Sequence, residues 1–377
     1  MSPDCYDVLI IGLGATGSAA GYHLARRGVS VLGLDRYIPP HSFGSSHGQT
    51  RIIREAYFED PAYVPLVQRA YELWADLEEQ AGQRLFVPTG GLMIGPTNGT
   101  IYVGAKRSAD EHHLPHQLLT SDQVRQQFPM FAPEPGTAAV LEPRAGVLFP
   151  ERCIEAHLRL GQEAGASWHC GESVSSWNPE GEVFRVITDH GQYAAKRLLF
   201  CAGAWTKSLL PDLALPLVVE RQVLFWFDAV TESACFRPGQ CPIYLWEYGD
   251  GQFFYGFPDM GEGVKIAGHH AGRLVDPDRV DREVTSEEVS QMREVLRRYV
   301  PLADGPLRST AVCLYTNTPD YHFVIDRHPT HPQILIASPC SGHGFKFSSA
   351  IGETLADLIT TGSSRFDLRL FRLDRFR

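Results

Sequence analysis

Apolar positions change their period along the chain, and the changes mark its elements. Tyr6–Ile11 (YDVLII) and Val29–Leu34 (VSVLGL) are short, mostly apolar runs. Runs of this length read as buried strands. Between them Ser18–Arg27 predicts a helix. Tyr63–Gln80 carries Val64, Val67, Ala70, Leu73, Trp74 and Leu77 at helical spacing and predicts an amphipathic helix. Leu85–Ile94 reads as a strand containing Gly90-Gly91. Ser108–His113 and Ser121–Phe128 read as short helices, with Ser121 capping the second. Thr137–Leu148 predicts a hairpin turning near Pro143–Gly146, and Pro150–Ala164 a helix. Trp168–Phe200 supplies short alternating segments and leads into the apolar strand Arg197–Cys201. From Val218 to Gly268 aromatic, alternating segments separated by turns predict an antiparallel sheet. Ser286–Tyr299 follows as a helix, then strands at Ser309–Tyr315, His322–Asp326 and Gln333–Ala337, and a helix at Phe347–Thr360.

The N-terminal order is strand, glycine turn, helix, strand, acid. Gly12-Leu13-Gly14-Ala15-Thr16-Gly17 joins the first strand to the helix, and Asp35 ends the second strand. In such a unit the first glycine permits the tight turn, the second lets a pyrophosphate approach, and the third lets helix and strand pack closely. The helix N-terminus favours phosphate, and the acid reaches the ribose hydroxyls. A chain with 35 glycines offers chance matches, so the weight rests on the βαβ context. Asp35 would repel a 2′-phosphate, which disfavours NADP and leaves NAD and FAD open. A long loop, Arg36–Thr50, follows. Ala202-Gly203-Ala204-Trp205 after a strand fits a second turn against the cofactor, or equally a tight turn into a helix at Leu209–Leu210. The expected fold is mixed α/β. A Rossmann-type domain (1–85, 145–217 and 318–377) interleaves with an antiparallel-sheet substrate domain (86–144 and 218–317).

Composition narrows the partners. The 377 residues suffice for about two domains. Apolar residues make up 44% and charged residues 21%, and the net charge is −10. No Lys/Arg block stands out, which argues against nucleic acid or an anionic membrane. No apolar run approaches the roughly 18 residues of a membrane-spanning helix. The N-terminus lacks the features of a signal peptide, so a cytoplasmic location is expected. The eight cysteines form no CxxC pair, so neither a zinc site nor a disulfide framework is indicated.

Four stretches could carry chemistry. Arg51 and Arg54 follow the long loop and could grip a carboxylate or a cofactor oxygen, or lie on the surface. Lys265 and His269 share one face of a strand. The lysine could stabilise developing negative charge, or be an exposed strand lysine. Cys313 reads as a buried, inert cysteine. Ser341–Lys346 (SGHGFK) precedes a helix and could present backbone N–H groups and a full charge to an anion.

Several longer stretches resemble one family. They are AAGYHLARRG (19–28), PPHSFGSSHGQTRIIREAY (39–57), YVPL (63–66), EPRAGVL (142–148), CAGAW (201–205), YGFP (255–258), AVCLYT (311–316) and SGHGFKFSSAIGE (341–353). The chain is similar nearly end to end to the monomeric sarcosine oxidase and N-methyltryptophan oxidase family, which has the D-amino-acid-oxidase-like FAD fold. The C-terminal FDLRLFRLDRFR resembles the N-methyltryptophan oxidases more.

The resemblance implies FAD attached by a thioether from Cys313 to the 8α-methyl of the ring, and a secondary amino acid and O2 as reactants. It assigns the carboxylate to Arg54 and Lys346, oxygen activation to Lys265, and support of the flavin to Arg51. Tyr255, His269 and Tyr315 become pocket residues, and Leu245 helps set side-chain preference. The cofactor set is Gly12, Gly14, Ala15, Thr16, Gly17, Asp35, Arg36, Ser45, Thr50, Arg51, Ile52, Cys201, Gly203, Trp205, Cys313, Gly342, Gly344, Phe345 and Lys346. The implied products are the demethylated amino acid, formaldehyde and hydrogen peroxide, and the implied state is a monomer. The chain departs from the family where sarcosine oxidases read HHGDTR and it reads Ser46-His47-Gly48-Gln49-Thr50-Arg51. This leaves open oxidation of pipecolate or fructosyl amino acids. The flavin-type motif SGHGFKFSSAIGE (341–353) argues against an NAD-dependent dehydrogenase.

Overall fold

The computed structural model describes residues 5–230 and 233–376. A six-stranded sheet runs in the order Ser167–Cys170, Val31–Asp35, Val8–Ile11, Leu198–Phe200, Ile334–Ser338, Val324–Arg327. The first five strands are parallel and the last is antiparallel. Alternation decides what each face meets. Val8 and Ile10 pack with the helices Ala15–Ala25, Val64–Ala81 and Ser348–Thr360. Leu9 and Ile11 pack with Phe184, Val186 and Ala195 of a four-stranded sheet. Both faces are covered, which is why VLII and the first four residues of ILIAS are apolar. The helices approach closely: a Cβ on Gly352 would lie 2.6 Å from the Cβ of Ala19.

A nine-stranded sheet faces this nucleotide-type layer. Its order is Arg273–Leu274, Val218–Phe227, Val264–His269, Gln252–Gly256, Ile243–Gly249, Gly91–Pro96, Thr137–Glu142, Gln117–Thr120, with Leu307–Asn317 on the other side of Val218–Phe227. All its pairs are antiparallel except Ile243–Gly249 with Gly91–Pro96. Trp246, Phe254, Phe225 and Phe227 fill its outer face against the helix Ser286–Tyr299.

Four local expectations need correction. Thr137–Leu148 is not a hairpin. Thr137–Glu142 pairs with Gly91–Pro96 and Gln117–Thr120, whereas Gly146–Leu148 pairs with Arg51–Ile53 and Phe86–Pro88 in a separate three-stranded sheet. Leu85–Ile94 accordingly breaks at Thr89-Gly90 into two strands in different sheets. The helix expected at Ser108–His113 is Thr100–Glu111. Gly104 within it hides the apolar period, yet that glycine admits the Phe58 carbonyl, which would lie 2.3 Å from a Cβ. Thr120, not Ser121, caps the next helix, in a capping box with Gln123. Among the described residues no helix is long and apolar enough to cross a membrane.

Candidate active site

The carboxyl ends of the parallel strands open into a cavity of ≈ 410 Å³, where ligands bind in sheets of this kind. The glycine turn forms its floor. Gly12 has φ +95°, and a Cβ there would lie 2.5 Å from the Cys201 carbonyl oxygen; one on Gly17 would lie 1.8 Å from that of Gly12. These two glycines serve packing, so Gly17 stands behind the floor. Gly14 differs. It caps the helix without a side-chain hydrogen bond, and a Cβ there would meet nothing nearer than Ser46 Oγ at 4.0 Å. Its ground is open to the cavity, beside Ala15 and Thr16.

Asp35 closes this end. It is buried and accepts N–H bonds from Leu13 (2.7 Å) and Tyr37 (2.8 Å); burial raises its pKa and these bonds oppose the rise. Arg36 is ion-paired with Asp278, whose carboxylate also accepts from Trp205 Nε1 at 2.9 Å. Arg36, Trp205 and Asp278 all line the cavity, as do Cys201 and Gly203. Asp278 was not singled out from sequence.

Further along, two cations are buried together. The Arg51 guanidinium donates to the carbonyls of Ser45 and Thr50, both at 2.8 Å, and to Cys313 Sγ at 3.4 Å. Lys265 Nζ donates to the Gly48 carbonyl (2.6 Å), the Thr50 carbonyl (2.9 Å) and Thr50 Oγ1 (3.1 Å). It also lies over the rings of Phe257 (4.7 Å) and Trp226 (5.2 Å). Neither cation is on the surface. Burial and the adjacent Arg51 push Lys265 well below the usual lysine range, while three acceptors and two aromatic faces favour its charged form. Burial raises the Cys313 thiol, and Arg51 opposes this. Ser45, Arg51 and Ile52 reach the cavity; Thr50, Lys265 and Cys313 sit just behind its lining.

The remaining predicted residues converge at the far end, where Leu245, Tyr255, His269, Tyr315, Gly342, Gly344, Phe345, Arg54 and Lys346 line the same cavity. The Tyr315 hydroxyl lies 3.3 Å from His269 Nδ1. Burial, chiefly, holds His269 neutral, well below the ordinary histidine range. Arg54 is engaged: its Nη2 donates to both carboxylate oxygens of Glu59 (2.8 and 2.7 Å), and its Nη1 to the Ala56 carbonyl at 3.0 Å. Lys346 Nζ donates to the His343 carbonyl at 2.6 Å and lies 3.4 Å from the Tyr57 hydroxyl. Burial and Arg54 lower its pKa to about 7.

His343 explains that tyrosine. Its Nε2 lies 2.9 Å from the Tyr321 carbonyl and must donate, so its Nδ1 accepts from Tyr57 at 2.5 Å. The Tyr57 oxygen is thereby turned to accept from Lys346. Glu59, Tyr57 and His343 were not singled out as site residues. The only local signal for Glu59 is an acid five positions after Arg54.

Comparisons with known proteins fit this geometry. Residues 7–358 match the family described as FAD dependent oxidoreductase. The chain is 43% identical over 375 residues to the monomeric sarcosine oxidase of Streptomyces avermitilis, covering 98% of this chain and 97% of that one. It is 36% identical to the N-methyl-L-tryptophan oxidase of Yersinia pestis, covering 99% and 100%. Whole-chain identity is thus higher to this sarcosine oxidase than to this N-methyl-L-tryptophan oxidase. NikD, an amino acid oxidase of nikkomycin biosynthesis, has the same fold with a TM-score of 0.85 at 24% identity, covering 98% of this chain and 97% of that one. The L-proline dehydrogenase of P. horikoshii also gives 0.85 at 22%, covering 99% and 98%. The open ground over Gly14, the Asp35 carboxylate and the buried Arg51 and Lys265 fit the pyrophosphate, the ribose and an electron-rich ring of FAD. By domain and by full-length identity, the chain belongs to the FAD-dependent oxidoreductases that include monomeric sarcosine oxidase and N-methyl-L-tryptophan oxidase.

Proposed function

We propose that this protein is an FAD-dependent oxidase of N-methyl amino acids, working as a monomer with the flavin joined covalently to Cys313. The products are the demethylated amino acid, formaldehyde and hydrogen peroxide. The observation that carries the reading is the convergence of two buried cations, Arg54 and Lys346, on the cavity that also receives Arg51. In this reading segments 1–85, 145–217 and 318–377 hold the cofactor, and 86–144 with 218–317 roof the amino acid.

When bound, FAD supplies the two-electron acceptor for the N-methyl C–H bond and passes the electrons to dioxygen. The protein's part is binding and electrostatics. Lys346 takes the carboxylate, which also competes with Glu59 for Arg54. The cations disfavour a second positive charge and so hold the reacting amine neutral. Neutral His269 adds no charge there, while Tyr255 and Tyr315 orient the amine. Arg51 and Lys265 carry positive charge to the flavin side, where it stabilises negative charge arising as oxygen is reduced. Arg51 also favours the thiolate of Cys313, the form that makes a thioether.

The test begins with acid precipitation of the purified protein. Yellow colour that stays with the pellet, on a peptide containing Cys313, supports attachment; colour that washes out removes it. Peroxide release is then measured with sarcosine, N-methyltryptophan and pipecolate. Turnover of pipecolate alone would overturn the N-methyl assignment.

A further inference from the structure

Glu142 ends the strand Thr137–Glu142 and is 1% exposed. It does not line the cavity. Its two carboxylate oxygens accept the N–H groups of Glu55 and Ala56, both at 2.7 Å. We infer, resting on the proposed contact of Arg54 with the substrate carboxylate, that Glu142 is a positioning residue for that contact and acts through Ala56.

Ala56 is the relay. Its N–H donates to Glu142, and its carbonyl accepts from Arg54 Nη1 at 3.0 Å. The other hydrogen bonds of the Arg54 guanidinium go to Glu59, the partner with which the arriving carboxylate competes. During that exchange the Ala56 carbonyl is the hydrogen-bond partner that stays. The next residue, Tyr57, places its hydroxyl 3.4 Å from Lys346 Nζ. Both cations of the substrate end are therefore tied to the segment that Glu142 grips.

The fold explains the grip. Glu142 pairs with Gly91 in the nine-stranded sheet, and Gly146 pairs with Ile53 in the three-stranded sheet. The chain thus changes sheets beside the residue that precedes Arg54. Glu55 and Ala56 follow the end of Arg51–Ile53, and their N–H groups meet a side chain where the strand pairing has stopped. Only a carboxylate without its proton offers two acceptors to two donors with no surplus donor of its own. No cation is ion-paired with Glu142 among the described residues, so its charge is costly to bury. Burial raises its pKa to about 7, and the two N–H bonds oppose the rise. The charged and titratable groups facing it are Arg54, which favours its charge, Glu55, which opposes it, and Tyr71 on the helix Val64–Ala81. Arg144, from the turn after Glu142, pairs with Glu55 at 2.9 Å.

The test uses the flavin-loaded protein and acetate, a carboxylate with no amine to titrate, read by the change in flavin absorbance. Glu142→Gln sets an amide N–H against a backbone N–H. It should weaken acetate binding about tenfold and raise the KM of the amino acid to match. The kcat should change by less than about twofold, because Glu142 touches no reacting atom. Wild-type acetate affinity, or a loss of kcat in place of the rise in KM, overturns the inference. The wild-type protein supplies a second measurement in case the variant does not fold. Acetate stays ionised between about pH 6 and 8. Lys346, charged below a pKa of about 7, would by itself make acetate bind more tightly as pH falls. Protonation of Glu142 works against this, so affinity should pass through a maximum near a pH of about 7. A rise or a plateau toward acid overturns the inference. Arg54→Met is the control for the underlying reading. If it binds acetate as the wild type does, the role of Arg54 falls and the inference with it; if it loses acetate and Glu142→Gln does not, the inference alone falls.

Discussion

The molecule buries two arginine–lysine pairs, and they are compensated differently. Arg51 and Lys265 are held by neutral oxygens, the carbonyls of Ser45, Gly48 and Thr50 and the Thr50 hydroxyl. Arg54 and Lys346 share their cavity with Glu59, which binds Arg54 through both carboxylate oxygens. In the first pair Arg51 keeps its charge, while Lys265 is pushed below the usual lysine range and its charge is favoured by neutral acceptors alone, which suits negative charge that comes and goes within a turnover. The second is part-neutralised at rest and suits an anion that arrives with the substrate and replaces an internal one.

The largest expected effect falls on the exchangeable pair. Lys346→Met should lower kcat/KM by about 2–5 kcal/mol, as loss of one partner of a buried charge pair does. It should also change the pH profile. Lys346 is charged below a pKa of about 7, so its contribution to kcat/KM in the wild type declines as pH rises through that value, while deprotonation of the substrate amine raises the rate. Lys346→Met should keep the rising limb and lose the fall. A fall that persists would show that another group controls it.

Lys265→Met tests the first pair. Reaction of the reduced enzyme with oxygen should slow by about 10²–10³-fold, the usual cost of removing one preorganised charge-stabilising donor, while reduction by substrate changes little. Equal slowing of both halves would erase the distinction between the pairs.

Glu59→Gln sharpens the contrast. The resting protein should lose about 1–3 kcal/mol in denaturant unfolding, because Arg54 is left buried without its carboxylate. A carboxylate ligand such as acetate should restore more stability to this variant than to the wild type. Without such rescue, Arg54 is a structural cation rather than an exchangeable one. The smallest effect is a control far from both pairs. Thr120→Ala removes the capping box and should cost about 1 kcal/mol with unchanged kinetics, measured by thermal unfolding and turnover.

What could be read along the chain was what neighbours in sequence decide. The glycine turn, the buried strands around it and the helix Ser286–Tyr299 were legible because spacing alone defines them. The strands at Thr137–Glu142 and Gly146–Leu148 were found but wrongly joined, since alternation does not say which distant strand supplies the partner. Cys313 shows the same limit in the site. Its neighbours Val312 and Leu314 suggest an inert core thiol, and what sets it apart is Arg51, 262 positions away in sequence. Only the family resemblance singled it out. Glu59, Tyr57 and His343 were missed for the same reason, because their meaning lies in contacts with Arg54, Lys346 and each other.

Thr50 is a common anchor. Its carbonyl accepts from Arg51 and from Lys265, and its hydroxyl accepts from Lys265 again. The two charges are therefore geared together: a shift of this residue moves both at once. Arg54, Glu59 and Leu245 lie outside that gear. On the proposed reading, side-chain preference can then be retuned at Leu245 without disturbing Lys265, so the site is modular although Arg51 and Arg54 line one cavity.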